Sequence, residues 1–130
     1  MILQRPIIFI ADQNTKTSLI ISRHLKKFIP NANVSRFSNY NMLLTISAKI
    51  RPHLAVINDQ PEIKDCVLTT IHWLRTIHKD LPIVVTEARN NTSALISNGA
   101  TLCLPPDTSI EDITKTIADF LTNQATKGER

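Results

Sequence analysis

Glycine is nearly absent from this 130-residue chain: only Gly99 and Gly128 occur, and neither follows the first apolar run. A phosphate-cradling loop needs glycines where backbone N–H groups close on the anion, so a nucleotide site of that kind is not expected. Aromatic residues are equally sparse at 5%, and none interleaves the basic side chains as a nucleic-acid-reading surface would require. No apolar run approaches the roughly 18 residues that a membrane span needs. Cysteine is limited to Cys66 and Cys103, far apart and in no pair motif, which predicts buried free thiols in a reducing compartment. The start, Met1 to Pro6, shows neither the charged region nor the small-residue cleavage site of a signal peptide, and a cytoplasmic location is expected. Cys66 and His72 belong to no metal-ligand or thiol–base motif, so no metal centre or thiol–base pair is expected there. His24, His53 and His78 are isolated and read as surface or rim residues.

Acidic residues are missing from one half. Residues 1–57 contain eight Lys or Arg and a single acid, Asp12, whereas residues 58–130 contain seven Lys or Arg and ten acids. Such polarity describes solvated faces, or steers self-association or the docking of an acidic partner.

What the chain does have is a succession of short apolar runs separated by helical periodicity. Pro6 to Ala11 and Leu54 to Ile57 are apolar on both faces, as strands covered by helices on both sides are. Ile83 to Thr86 reads as another buried strand, Asn33 to Phe37 as a half-buried edge strand, and Thr101 to Leu104 as a brief fifth. Helices are expected over Lys16 to Phe28, with Ile21, Leu25 and Phe28 inward, and from a cap at Ser38 or Asn39 to about Ile50, with Leu43, Ile46 and Ile50 inward. Three more follow. One covers Cys66 to His78, with Val67, Ile71, Leu74 and His78 inward and Trp73 flanking, and a short one covers Asn90 to Ser97, stopped by Asn98-Gly99. The last begins at a capping box, Thr108-Ser109-Ile110-Glu111, and carries the stripe Ile110, Ile113, Ile117, Phe120 and Leu121. Strand and helix alternate five times, which predicts an α/β, flavodoxin-like three-layer sandwich with a parallel five-stranded sheet in the order 2-1-3-4-5. Residues 1–122 form the expected domain, and 123–130 a polar tail or the start of a linker. In such sheets working residues lie beyond the carboxyl ends of the central strands, which draws attention to Asn58 and Asp59.

Four segments fall into one register, and together they resemble the receiver domain (CheY-like) of two-component response regulators. Ile10-Ala11-Asp12-Gln13-Asn14-Thr15 is similar to the acidic turn after strand one, notably in LuxR-type transcription regulators. Pro52-His53-Leu54-Ala55-Val56-Ile57-Asn58 is similar to the family's Pro-Asp-Leu-hydrophobic-hydrophobic-hydrophobic-Asp. Leu81 to Thr86 resembles the fourth strand with its switch hydroxyl, and Asn98 to Pro106 the Gly-Ala-x-x-Tyr-Leu-x-Lys-Pro segment. The resemblance spans about residues 5–122.

Carried over residue by residue, the resemblance implies a degenerate phosphorylation pocket at Asp12, Gln13, Asn58, Asp59, Thr86, Pro105 and Pro106. The phosphoryl-accepting aspartate falls on Asn58, whose amide is neutral and has a delocalised nitrogen lone pair. The paired acids become Asp12 and Gln13, leaving Asp12 as at most a weak Mg²⁺ remnant. The lysine falls on Pro105 or Pro106, and the switch aromatic on Cys103. Asp59 is expected as a solvated or capping residue, or alternatively as a relocated acceptor; Asp12 is expected to cap the first helix. The implied function is that of a pseudo-receiver: a non-enzymatic, phosphorylation-independent regulator acting by protein contact in signal or transcription regulation. An atypical phosphorylatable receiver and a small flavodoxin-like enzyme or nucleotide binder are the alternatives. No cofactor or small-molecule substrate is expected, and DNA contact only through a domain outside this chain. A protein partner or a homodimer is expected, with Lys16, Arg23, Lys26 and Lys27 of the first helix facing Glu111, Asp112 and Asp119 of the last helix in another copy.

Overall fold

The apolar runs become strands because they are too short for helices and apolar on both faces. The computed structural model describes residues 5–59, 64–89 and 91–128. Its elements alternate as β1 (Ile7–Ala11), α1 (Thr15–Phe28), β2 (Asn33–Phe37), α2 (Tyr40–Ser47), β3 (Leu54–Asn58), α3 (Lys64–Ile77), β4 (Ile83–Thr86), α4 (Thr92–Ser97), β5 (Leu102–Cys103) and α5 (Ile110–Gly128). The strands form one parallel sheet in the expected order β2-β1-β3-β4-β5. Of the expected segments, Gln60, Pro61 and Asn90 lie outside the described residues, as does the side chain of Cys66; Cys103 is a free thiol.

The pleat divides the core in two. Ile8, Ile10, Leu54 and Val56 turn to one face and pack with Ile21 and Leu25 of α1 and Ile113, Ile117 and Leu121 of α5. Their neighbours Phe9, Ala11, Ala55 and Ile57 turn to the other, against Leu43 of α2, Val67, Ile71 and Leu74 of α3, and Leu95 of α4. Most of the expected inward residues are therefore core, with two exceptions. Phe28 is 56% exposed, because Ile29, which caps α1, takes the buried place at its end. Ile50 is 46% exposed, because α2 stops at Ser47 and the chain leaves helical phase before reaching it.

Caps also differ from expectation. Asn14, not Asp12, caps α1, accepting from the N–H groups of Lys16 and Thr17. Ser109, not Thr108, caps α5: its Oγ accepts from Asp112 N–H at 3.1 Å, while the Thr108 hydroxyl donates to Pro105 O. Asn39 caps α2 as foreseen. The backbone of α5 stays helical from Asn123 to Gly128, within the stretch expected as a polar tail.

Two histidines read as isolated are structural. Nδ1 of His53 accepts the N–H of Ile7 at 2.9 Å, which requires a neutral ring and ties the loop before β3 to the start of β1. Burial, and then the charge of Arg51, push its pKa down, in agreement with that role. Nε2 of His78 lies 2.7 Å from Ser47 O, so it carries the proton and joins the end of α3 to the end of α2. Arg75 is the other joint: its guanidinium donates to Gly99 O through Nε at 3.2 Å and Nη2 at 2.7 Å, and to Lys79 O through Nη1 at 2.8 Å. It thereby satisfies carbonyls at the end of α3 and fastens the α4–β5 turn to them.

Candidate functional site

β1 and β3 are neighbours with Ala11 in register with Ile57, so Asp12 and Asn58 emerge together at the carboxyl edge. Both share the parity of the residues facing α1 and α5. Asn58 is also in register with Thr86 at the end of β4, and all three side chains are buried. The strand alternation that makes the core thus also assembles this cluster.

Its geometry is that of a closed pocket. The Asn58 Nδ2 donates to Asp12 Oδ2 at 3.1 Å, and Asp12 Oδ1 accepts the N–H of Asn14 at 2.8 Å. Tyr40 Oη donates to the backbone carbonyl of Asn58 at 2.7 Å, tying α2 to the strand tip. The other amide atom, Asn58 Oδ1, is buried without a hydrogen-bond partner. Burial pushes the Asp12 carboxyl above its usual range; the hydrogen bonds from Asn14 and Asn58 pull it down, and the charge of Glu87 pushes it further up. Glu87 follows Thr86 and holds a left-handed backbone, φ +55°, uncommon for a residue with a side chain.

Asp59 goes elsewhere. One residue past Asn58, it has the opposite parity, and Asp59 N–H donates to Thr86 O at 2.9 Å. It is buried, 6% exposed, rather than solvated. Burial raises its carboxyl, and the charge of Arg89 opposes the rise. The Cys103 thiol is raised by burial and then by the charge of Asp59. Gln13, Pro105 and Pro106 are exposed. Every peptide bond among the described residues is trans, including Pro105–Pro106. The seven residues expected as one pocket therefore separate into Asp12, Asn58 and Thr86 together, Asp59 with Arg89 and Cys103, and three at the surface.

Tyr40, Glu87 and Arg89 escaped the sequence reading. Tyr40 is the only tyrosine of the chain and opens a helix, but nothing in its spacing announces a bond to residue 58. Glu87 and Arg89 follow the buried run of β4, where position alone is the available signal.

The residues present do not fit the Mg²⁺ that the receiver resemblance implies. Mg²⁺ favours anionic oxygens in octahedral array, and Asp12 offers one carboxylate whose two oxygens are already engaged and whose pKa is raised. Its neighbour Asn58 turns a donor toward it, and Gln13 is at the surface. Among the described residues, no group of three or more His, Cys, Asp or Glu is placed to hold a metal ion.

No protein-family model matches the chain, and no curated protein does. Solved structures do. A CheY-like response regulator receiver domain protein from Methanospirillum hungatei JF-1 superposes with a TM-score of 0.80 at 13% identity, over 94% of this chain and 98% of the other. The signal receiver domain of a putative LuxO repressor protein from Vibrio parahaemolyticus gives 0.79 at 12% identity, over 95% of each chain. The beryllofluoride-activated NtrC receiver domain gives 0.76 at 21% identity, over 93% and 98%. The likeness is one of fold: this chain has the flavodoxin-like, CheY-like receiver fold. No helix among the described residues is long and apolar enough to cross a membrane.

Proposed function

We propose that the chain is a pseudo-receiver: a regulatory domain on the receiver fold that works without phosphorylation, through protein contacts, in signal transduction. One observation carries the reading. At the strand tip where the resemblance puts the acceptor carboxylate, an amide stands, and that amide is spent as a donor to Asp12 beside it, at 3.1 Å. Asn58 has no anionic oxygen to attack phosphorus, and the Mg²⁺ that would neutralise a transferring phosphoryl group has no fitting ligand set. The domain is not an enzyme on this reading. A role in transcription, by way of a DNA-binding domain outside this chain, fits the Ala11-Asp12 turn. Asp59 as a substitute acceptor has burial and a raised pKa against it.

The test is incubation with acetyl phosphate and Mg²⁺ followed by intact-mass analysis, alongside amide NMR with Mg²⁺ and beryllofluoride. An unmodified mass and unmoved resonances at Asp12, Asn58, Asp59 and Thr86 are expected. A phosphorylated chain, mapped to Asp59 or any other acid, refutes the reading.

A further inference from the structure

We infer that a second copy of this chain docks on the outer face of α1 and α5, about a two-fold axis running along the helices. The inference goes beyond the pocket and stands whether or not the pocket accepts phosphate.

α1 contains no acid, and Lys16, Ile20, Arg23 and Lys27 recur at the spacing of one stripe, all of them exposed. This stripe lies opposite the buried Ser18, Ile21 and Leu25. On α5 the exposed outer face carries Glu111, Asp112 and Asp119, with Lys115 among them between Asp112 and Asp119. The two helices pack side by side over one face of the sheet. Each follows a strand of a parallel sheet, so they run in the same direction and start from the same edge. One layer therefore presents a basic stripe beside a predominantly acidic one, three acids to one lysine.

Two helices so arranged can meet their own copy face to face in two symmetric ways. A two-fold axis lying across the helices sets α1 on α1, cation on cation. An axis along the helices sets α1 on α5 and α5 on α1, and leaves every residue at its own height. The charges suit the second arrangement in spacing as well as in sign. Lys16 lies in the first turn of α1 and Asp112 in the first turn of α5, and Arg23 and Asp119 each follow seven residues later, about two helical turns or ~10.5 Å. Ile20, 44% exposed between Lys16 and Arg23, provides apolar surface for the centre of the contact. The interface is isologous, so each pairing occurs twice.

The test is sedimentation of the wild-type chain, Arg23→Glu, Asp119→Arg, and an equimolar mixture of the two variants, each checked for native circular dichroism. The wild type is expected to dimerise, less tightly as salt rises. Each variant alone sets like charge on like charge at both copies of the pair and is expected to dimerise at least about tenfold more weakly. In the mixture the two reversed side chains meet each other across one copy of the pair, and the native Arg23 and Asp119 meet across the other. Opposite charges then face at both, and a heterodimer close to wild-type affinity is expected. A monomeric wild type, a dimer indifferent to either reversal, or a mixture no tighter than its components overturns the inference.

Discussion

Asn58→Asp puts the reading of the pocket at most risk, since it restores the acid that the resemblance calls for. In the present structure the amide Nδ2 donates to Asp12 Oδ2 at 3.1 Å. A carboxylate at residue 58 loses that donor, a hydrogen bond to a charged group worth about 1.5–3 kcal/mol. It also sets two negative charges at that spacing, a repulsion of about 5 kcal/mol at an effective dielectric constant near 20. Rather than bear the full repulsion, the pair retains one proton, and its folded-state pKa rises above the unfolded value. Because the folded state then binds more protons than the unfolded one, stability is retained below the unfolded pKa and lost as pH rises through the folded one. Near pH ~5 a protonated carboxyl at residue 58 donates to Asp12 much as the amide does, and the variant should lie within about 1 kcal/mol of wild type. Near pH ~8 it should be less stable by roughly 3–5 kcal/mol. Urea unfolding at both pH values measures the difference. Mg²⁺ should return part of the loss to the variant at high pH, since a cation now finds two carboxylates, and should leave the wild type unmoved. An equal loss at both pH values, or equal stabilisation of both proteins by Mg²⁺, refutes the argument.

Gly99→Ala should cost roughly 2–4 kcal/mol, since φ is +123° and an added Cβ would lie 2.9 Å from Arg75 Cβ, displacing the side chain that fastens this turn; a urea midpoint within error of wild type would contradict that. Two variants separate opposite pH effects on stability. His53 has a lowered folded pKa, so its contribution is present above the unfolded pKa and lost as pH falls through the folded one; His53→Gln should flatten that acidic loss. Asp59 has a raised folded pKa, so its contribution is present below the unfolded value and lost as pH rises through the folded one; Asp59→Asn should remove that decline. Urea midpoints measured across the pH range in which carboxylates and imidazoles titrate check both, and unchanged slopes would refute the assignments.

The fold was legible because burial on both faces leaves a mark that helices do not: Leu54 to Ile57 and Ile83 to Val85 are unbroken apolar runs, and all of these residues are buried. The ends of elements were less so. Whether Thr108 or Ser109 caps α5 is a one-residue ambiguity between two similar hydroxyls, settled by the turn in which Thr108 binds back to Pro105. Phe28 and Ile50 continue the helical spacing on paper, but spacing does not reveal where the chain leaves the helix. The roles of His53 and His78 depend on backbone partners 46 and 31 residues away, and no local pattern carries such information.

The site divides along the same line. That Asn58 offers a neutral amide needs only identity and position to be read, whereas what that amide bonds to needs geometry. An amide is nearly isosteric with a carboxylate and differs chiefly in presenting a donor where a carboxylate has only acceptors. Here that one difference converts a repulsion with Asp12 into a bond, while Tyr40 holds the backbone carbonyl of the same residue at 2.7 Å. β1, β3 and α2 are joined at a single residue. A receiver-type switch needs a strand tip whose charge changes; a tip that is neutral, bonded on both sides and buried resists such change. The Oδ1 of Asn58 is buried without a hydrogen-bond partner, a local cost set against the bonds that Nδ2 and the backbone carbonyl of the same residue make at this joint.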